Sequence, residues 1–349
     1  MNRKETRGLP KGYQILPAAM SSVSDVQALD DRFRRHYCGE EGMSLSALEK
    51  EWQTPGFDLG GSVRLVYGPE GQLVGLGEVW DLSQPPVHPY LWVMVDPAVE
   101  DTGIISWLLS WGEARARKAL TRVPEGVRVS LRVNVLHQQT TIRKPLISTG
   151  MKRIRQTFLM RINLDQGLTK PRWPEGIRVR GCSPEEDLQA VYRLDNLVFR
   201  DHFGYVEDTS PEGFERYQHR MTTGEAYDPG LWFLAEEGKE LIGICLGRKW
   251  GYSSPDVGHI ALLGVRRPWR RKGIGLALLQ HAFCAFQRRG YQQVGLGVDG
   301  ENLTGAVRLY LKAGMFVHNR YDKYEKELRP GEEVSVTGLT ASDEKSGVQ

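Results

Sequence analysis

Cysteine is scarce: Cys38, Cys182, Cys245 and Cys284 are widely separated, and no two have the short spacing of a zinc knuckle or a redox pair. A disulfide framework is excluded, no metal is expected, and reduced thiols in the cytoplasm are the expected state. Long apolar runs are missing too. Nothing approaches the roughly 18 uninterrupted apolar residues of a membrane span, and Met1 to Lys11 holds charges without the apolar core of a signal segment. No membrane partner is expected. Nor does either charge dominate: 46 basic against 43 acidic residues leave a net charge of +3, so a general nucleic-acid coat is not implied.

What is present is the composition of a soluble globular chain, 40% hydrophobic and 26% charged, over 349 residues, a length that accommodates two ordinary domains. An internal repeat supports that count. The run Gly12 to Leu16, followed by a helical pattern from Ser22 to Tyr37, is echoed by Gly176 to Arg180 and a pattern from Ser183 to Phe203; far downstream, Leu146 to Met151 is echoed by Tyr310 to Met315. Both echoes are displaced by 164 residues. Two copies of one fold are therefore expected, at residues 12–165 and 176–329. Residues 166–175, with two prolines, read as a linker, residues 1–11 as an N-terminal tail, and residues 330–349 as a mobile tail.

In the second copy, Ser183, Pro184 and Glu186 read as a capping-box start for a helix carrying Leu188, Val191, Leu194 and Val198. A second short helix starts near Ser210. Three strands follow, Leu231–Glu236, Glu240–Trp250 and Val257–Val265, then a helix from Ile274 to Gly290. A strand at Gln293–Val298, a helix at Thr304–Ala313 and a strand at Phe316–Leu328 complete the copy.

Between the third of those strands and its helix lies a basic, glycine-bearing loop with Arg266, Arg267, Arg270, Arg271, Lys272, Gly273, Ile274 and Gly275. Backbone N–H groups at a helix start have no intrahelical partner, and with the helix dipole they form a site for anions. Glycines remove the side chains that would hold a pyrophosphate away, and the cations add attraction. A solvated turn or a nucleic-acid patch is the plainer alternative, but neither requires an apolar strand before, two spaced glycines, and an amphipathic helix after.

This order of elements, and the match of Arg270, Gly273 and Gly275 to a Gln/Arg-x-x-Gly-x-Gly/Ala signature, resembles the GNAT superfamily of acyl-CoA-dependent N-acetyltransferases. The duplication resembles its tandem, two-domain, mycothiol-synthase type. The fold class implied is α/β: two GNAT-like domains, each a mixed, mostly antiparallel twisted sheet flanked by helices. The cofactor implied is acetyl-CoA or another acyl-CoA, with Arg270, Arg271, Lys272, Gly273, Ile274 and Gly275 at its pyrophosphate and backbone groups of Leu263 and Val265 at its thioester and pantetheine. Asn302, Ala306, Tyr310 and Gly314 resemble a second family element, with Met315 in place of the usual Phe. Asn302 caps the turn or meets the pantetheine amides.

Tyr310 shares a helical face with Ala306 and Gly314, whose small size leaves room for a cofactor to pass the phenol. It is the expected general acid, the alternative being a core tyrosine with a satisfied hydroxyl. His259 stands where relatives often place a glutamate and is the first choice for the base, the alternative being a structural histidine. Asp256 and Glu301 flank the strand and rank lower. In the first copy Glu100 aligns with Arg270, Ile105 with Gly275 and Leu146 with Tyr310, taking Gly103 with Gly273 at a local displacement of 170. That copy is expected to be inactive and to shape the acceptor cleft, with Trp173, Glu40 and Glu41 as contributors. The partner implied is a small-molecule amine, with the chain a monomer or homodimer; a CoA-binding protein without transfer activity is the competing class. His202, Phe203, Tyr205, Glu207 and Asp208 line a pocket or cap helices.

Overall fold

In the computed structural model, residues 9–165, 167–208, 210–251, 256–301 and 305–337 are described, Asp101 by its backbone alone. The expected site residue Asn302 lies outside them. The first copy contains β1 (Gln14–Pro17), α1 (Val23–Cys38), α2 (Leu45–Trp52), α3 (Leu59–Ser62), β2 (Val63–Tyr67), β3 (Leu73–Trp80), β4 (Tyr90–Val95), α4 (Ile104–Ala116), β5 (Val129–Leu136), α5 (Arg143–Ser148) and β6 (Lys152–Asn163). The second contains β7 (Ile177–Gly181), α6 (Pro184–Phe199), α7 (Gly213–Thr222), β8 (Trp232–Glu237), β9 (Glu240–Arg248), β10 (Val257–Val265), α8 (Ile274–Arg288), β11 (Gln293–Asp299), α9 (Ala306–Lys312) and β12 (Phe316–Arg329).

The copies do not keep separate sheets. All twelve strands form one sheet in the order β1-β2-β3-β4-β5-β12-β6-β11-β10-β9-β8-β7. The final strand of each copy has crossed into the other: β6 pairs with β11, β12 pairs with β5, and the two pair with each other. Residues 165 and 176 fall between β6 and β7, and the two mixed sheets expected for the copies are joined into one by the exchanged strands. Long strands with period-two alternation supply ladder bonds on both edges, so β6 and β12 join the halves into one unit. Polar ties reinforce the seam: buried Asp322 on β12 accepts from His137 Nδ1 after β5 (2.8 Å) and from Arg153 (2.9 Å) and Gln156 (3.0 Å) on β6.

Residues 330–337 also depart from the expected mobile tail. Glu332 exchanges backbone bonds with Gly126 and Arg128 of the first copy, and Val336 with Gly204 and Tyr205 of the second, at 2.7–3.1 Å. The tail stitches the halves together.

Helices cover both faces of the sheet. α4 and α5 over the first copy, and α8 and α9 over the second, enclose one set of cores, while α1, α2, α6 and α7 enclose the other. On α8, Ile274, Leu278, Ala282, Phe283 and Phe286 recur at helical spacing and are buried against β9, β10 and β11. Each of the larger side chains among them contributes about 1.5–3 kcal/mol. The packing leaves little slack, since a methyl built on Gly258 of β10 would lie 2.5 Å from the Phe286 ring. The capping-box expectation for α6 is corrected: Ser183 makes no side-chain cap, and its N–H donates instead to Asp187 at 2.8 Å.

Candidate functional site

β10 positions the site through two irregularities. Its parallel pairing with β11 covers only Val257, Gly258 and His259, so from Ile260 onward the strands splay and the β11-facing backbone of β10 has no ladder partner. Against β9 the register slips between Ile260 and Leu262. This bulge turns Ala261 and Leu262 together toward the α6 core, while Leu263 and Val265 face α8. The chain thus opens a slot between two parallel strands beside a helix start, with a different side chain environment on each face. The carbonyl of Val265 is taken by Arg270 Nε at 3.0 Å.

The basic loop follows directly. Arg271 adopts φ +65°, uncommon for a residue with a side chain, and Gly273 adopts φ +86° as the N-cap of α8. Left-handed residues among right-handed ones turn successive N–H groups inward, and the free N–H groups of the first turn of α8 extend that concavity. Nothing lies within 4 Å of a methyl built on Gly273, and one on Gly275 would meet only Leu309 at 3.4 Å and Val265 at 3.8 Å. The glycines therefore front open space and are not demanded by packing inside the protein.

The loop cations are less available than their sequence implies. Arg266 pairs with Glu240. Arg267 and Arg270 both converge on buried Asp201, Arg270 at 2.6 Å, and Arg270 also donates to the Val198 carbonyl at 3.1 Å. These two guanidinium groups hold Asp201 below the usual carboxylate range against the effect of its burial. The Arg270 side chain braces the loop against the end of α6. Arg271 and Lys272 are exposed.

Tyr310 is buried in the α8 core, and no described residue hydrogen-bonds its hydroxyl. Burial, with the nearby Cys245, pushes the phenol above its ordinary range, and burial pushes the Cys245 thiol up to about 12. His259 faces the other way, into a cavity of about 590 Å³ on the α6 face. Burial beside Arg248 pushes its imidazole down to about 4. Asp256 and Glu301 do not line that cavity.

The cavity is shared by the copies. Ser46, Lys50 and Glu51 of α2, with Thr54, Trp80 and Leu82, form the first copy's wall, and Asp195, Tyr217, Arg220, Ala261 and Leu262 the second's. The first copy does shape a cleft, but not with the expected residues. Glu40 is consumed by Arg161 and His318, Glu41 lies 3.7 Å from Arg35, and Trp173 packs on the opposite face near His281. Asp208 joins the cavity wall while holding Arg216, and His202 and Phe203 line a smaller cavity of about 190 Å³ near Lys323. Tyr205 bonds the C-terminal segment through its backbone, and Glu207 lies 3.2 Å from Arg200. Among the described residues no group of three His, Cys, Asp or Glu could hold a metal, and no helix is long and apolar enough to cross a membrane.

Comparison with known proteins places the fold among acetyltransferases. The acetyltransferase (GNAT) family model matches residues 189–315. A GCN5-related N-acetyltransferase from Sphaerobacter thermophilus superposes with a TM-score of 0.78 at 32% identity, covering 94% of this chain and all of that one. A mycothiol acetyltransferase from Thermobispora bispora is 34% identical over 169 residues, 47% of this chain and 55% of the relative. One from Amycolatopsis mediterranei is 25% identical over 86% of this chain and 96% of its own length. The match thus spans about half of the first relative and nearly all of the second. A tandem GNAT protein from the clavulanic acid biosynthesis pathway shares the fold, with a TM-score of 0.68 at 14% identity.

Proposed function

The chain belongs to the GCN5-related N-acetyltransferase (GNAT) family in its tandem form, and from that premise we propose that its second half transfers an acetyl group from acetyl-CoA to the primary amine of a small molecule bound in the interdomain cavity. The observation that carries this reading is the placement of two features on one strand: the splay of β10 from β11 after His259, next to the glycine loop, and the large cavity on the α6 face, which Ala261 and Leu262 of the same strand line. A cofactor entering past α8 and an acceptor entering past α6 meet at the bulge.

Acetyl-CoA supplies the activated thioester. The loop residues Arg271, Lys272, Gly273, Ile274 and Gly275 hold its pyrophosphate, chiefly through backbone N–H groups, and Arg270 fixes the loop's shape. Asn302 is proposed to meet the pantetheine amides. Unpaired backbone of Leu263 in the slot donates to the carbonyl oxygen as negative charge develops there, and the N–H of Val265 is proposed to assist, its carbonyl being occupied. Tyr310 stays protonated through the neutral range and gives its proton to the departing sulfur. That transfer is uphill from a phenol raised by burial, but the same environment raises thiols, as Cys245 shows, so the leaving thiolate gains proton affinity in step.

His259 is neutral at pH 7, since its pKa is near 4, and it accepts a hydrogen bond from the amine; its low basicity makes it a poor final holder of the proton. Acetyl-CoA consumption with a panel of primary amines tests the function. Acetylation of one or more is expected, and tight acetyl-CoA binding without transfer to any would favour the non-catalytic reading. His259→Ala should raise KM for the amine several-fold; an unchanged KM and pH–rate profile removes His259 from the site.

A further inference from the structure

Among the described residues seven carboxylates are buried: Asp30, Glu78, Asp81, Glu100, Asp195, Asp201 and Asp322. Six have partners. Asp30 pairs with Arg34, Asp81 with Arg115, Asp201 with Arg270, and Asp322 with Arg153, while Glu78 accepts from Trp52 and Glu100 from Tyr37. Asp195, 8% exposed, has no hydrogen bond or ion pair to any described residue. A buried ionisable group without a partner is costly unless it is neutralised or meets a ligand. Asp195 opens onto the interdomain cavity, and in the same wall the Tyr217 hydroxyl is a second buried polar atom with no partner.

Its position fits a role in the transfer. Asp195 stands one turn before Val198, which packs on Gly264 of β10, and it shares the cavity wall with Ala261 and Leu262 at the bulge. The first copy has carboxylates on the equivalent helix, but Asp30 is held by Arg34 and the Met43 N–H, and Asp31 by the Gly42 N–H at 2.7 Å. Among the described residues of these two equivalent helices, Asp195 is the carboxylate that lines a cavity without a partner; the first copy's carboxylate in the same wall is Glu51, which lies on α2.

We propose that the Asp195 carboxylate receives the acceptor's ammonium group and takes the proton that must leave before the nitrogen attacks. The step rests on the acetyl-transfer reading above. The ammonium N–H bond breaks, its proton passes to the carboxylate and then to water, and the freed nitrogen pair forms the bond to the thioester carbon. As the carbon–sulfur bond breaks, the nitrogen releases a second proton to the medium, and Tyr310 delivers one to sulfur and is reprotonated from the medium. Burial raises the Asp195 carboxyl to about 6, with Arg220 on α7 acting against it. The other charged groups around the cavity are Arg248 on β9, His259 on β10, Arg216 bound to Asp208, and Lys50 and Glu51 on α2, which burial moves to about 7 and about 8.

The test is Asp195→Asn, assayed with acetyl-CoA and whichever of glucosamine, cysteamine, ethanolamine or spermidine the wild-type protein acetylates best. The expected result is a fall in kcat/KM of about 100-fold at pH 7, loss of the limb that rises with pH through about 6, an unchanged acetyl-CoA affinity, and partial recovery in Asp195→Glu. Wild-type kcat/KM with the limb intact overturns the assignment, as does a loss of acetyl-CoA binding, which marks a structural role. A wild-type protein that binds acetyl-CoA and acetylates no amine overturns the functional reading and this step together.

Discussion

Gly103 and Gly273 hold nearly the same backbone shape, φ +88° and ψ −2° against φ +86° and ψ −8°, each as N-cap of the helix that follows a central parallel strand. Around this shared turn the two halves diverge. In the second, Arg270 reaches the end of α6 and the carboxylate of Asp201; in the first, Glu100 takes the equivalent place and accepts from Tyr37 at the end of α1, from Gln139 at 3.1 Å and from Thr141. Gly275 faces open space where Ile105 is buried, and Ala306 and Tyr310 stand where Ile142 and Leu146 fill the first core. Both pairs of parallel strands splay, the first after Leu91 and the second after His259. Folding to this turn therefore does not require the anion site. A few substitutions separate the packed core of the first half from the proposed cofactor site of the second.

The most severe way to break the comparison is to copy the first half into the second. Gly275→Ile should weaken acetyl-CoA binding at least a thousandfold, about 4 kcal/mol, while melting stays within a few degrees because the site fronts open space. Calorimetry and a thermal scan check the two arms. Next comes Tyr310→Phe, which removes the proton donor and leaves the ring: kcat should fall about 100-fold with acetyl-CoA affinity intact, and unchanged turnover excludes the role. A milder effect is expected in the first half. Glu100→Gln weakens its three side-chain bonds and should cost about 1–2 kcal/mol in urea unfolding, with no change in cofactor affinity. Smallest of all is the effect of cutting the chain within residues 166–175: the exchanged β6 and β12 should hold the fragments together, so gel filtration should show no change in size. Separation of the fragments would contradict the strand exchange.

Periodicity located β10 and α8 to within a residue or two, because their apolar spacing and the flanking glycines are local signals. The destination of β6 and β12 was not legible. Their alternation states that they are strands, not which edge they join, and the repeat makes both edges equally plausible in sequence. The loop cations were visible as charges, but the partner of Arg270 lies 69 residues upstream, and only the fold shows that its charge is spent on Asp201. Asp195 did have a sequence signal. It falls on the core-facing stripe of Val191, Leu194 and Val198, where a carboxylate is out of place without a purpose. Which residues of the first copy line the interdomain cavity was not legible, since α2 reaches it only through the packing of the two halves, and Glu40, Glu41 and Trp173 do not line it.

Since the halves share strands, the decisive measurement uses the whole chain. Titration of acetyl-CoA into the wild-type protein, into Gly275→Ile and into Ile105→Gly should give one site, no site and one site. Two sites in the wild-type protein, or a site that survives in Gly275→Ile, would contradict the assignment of the cofactor to the second half alone.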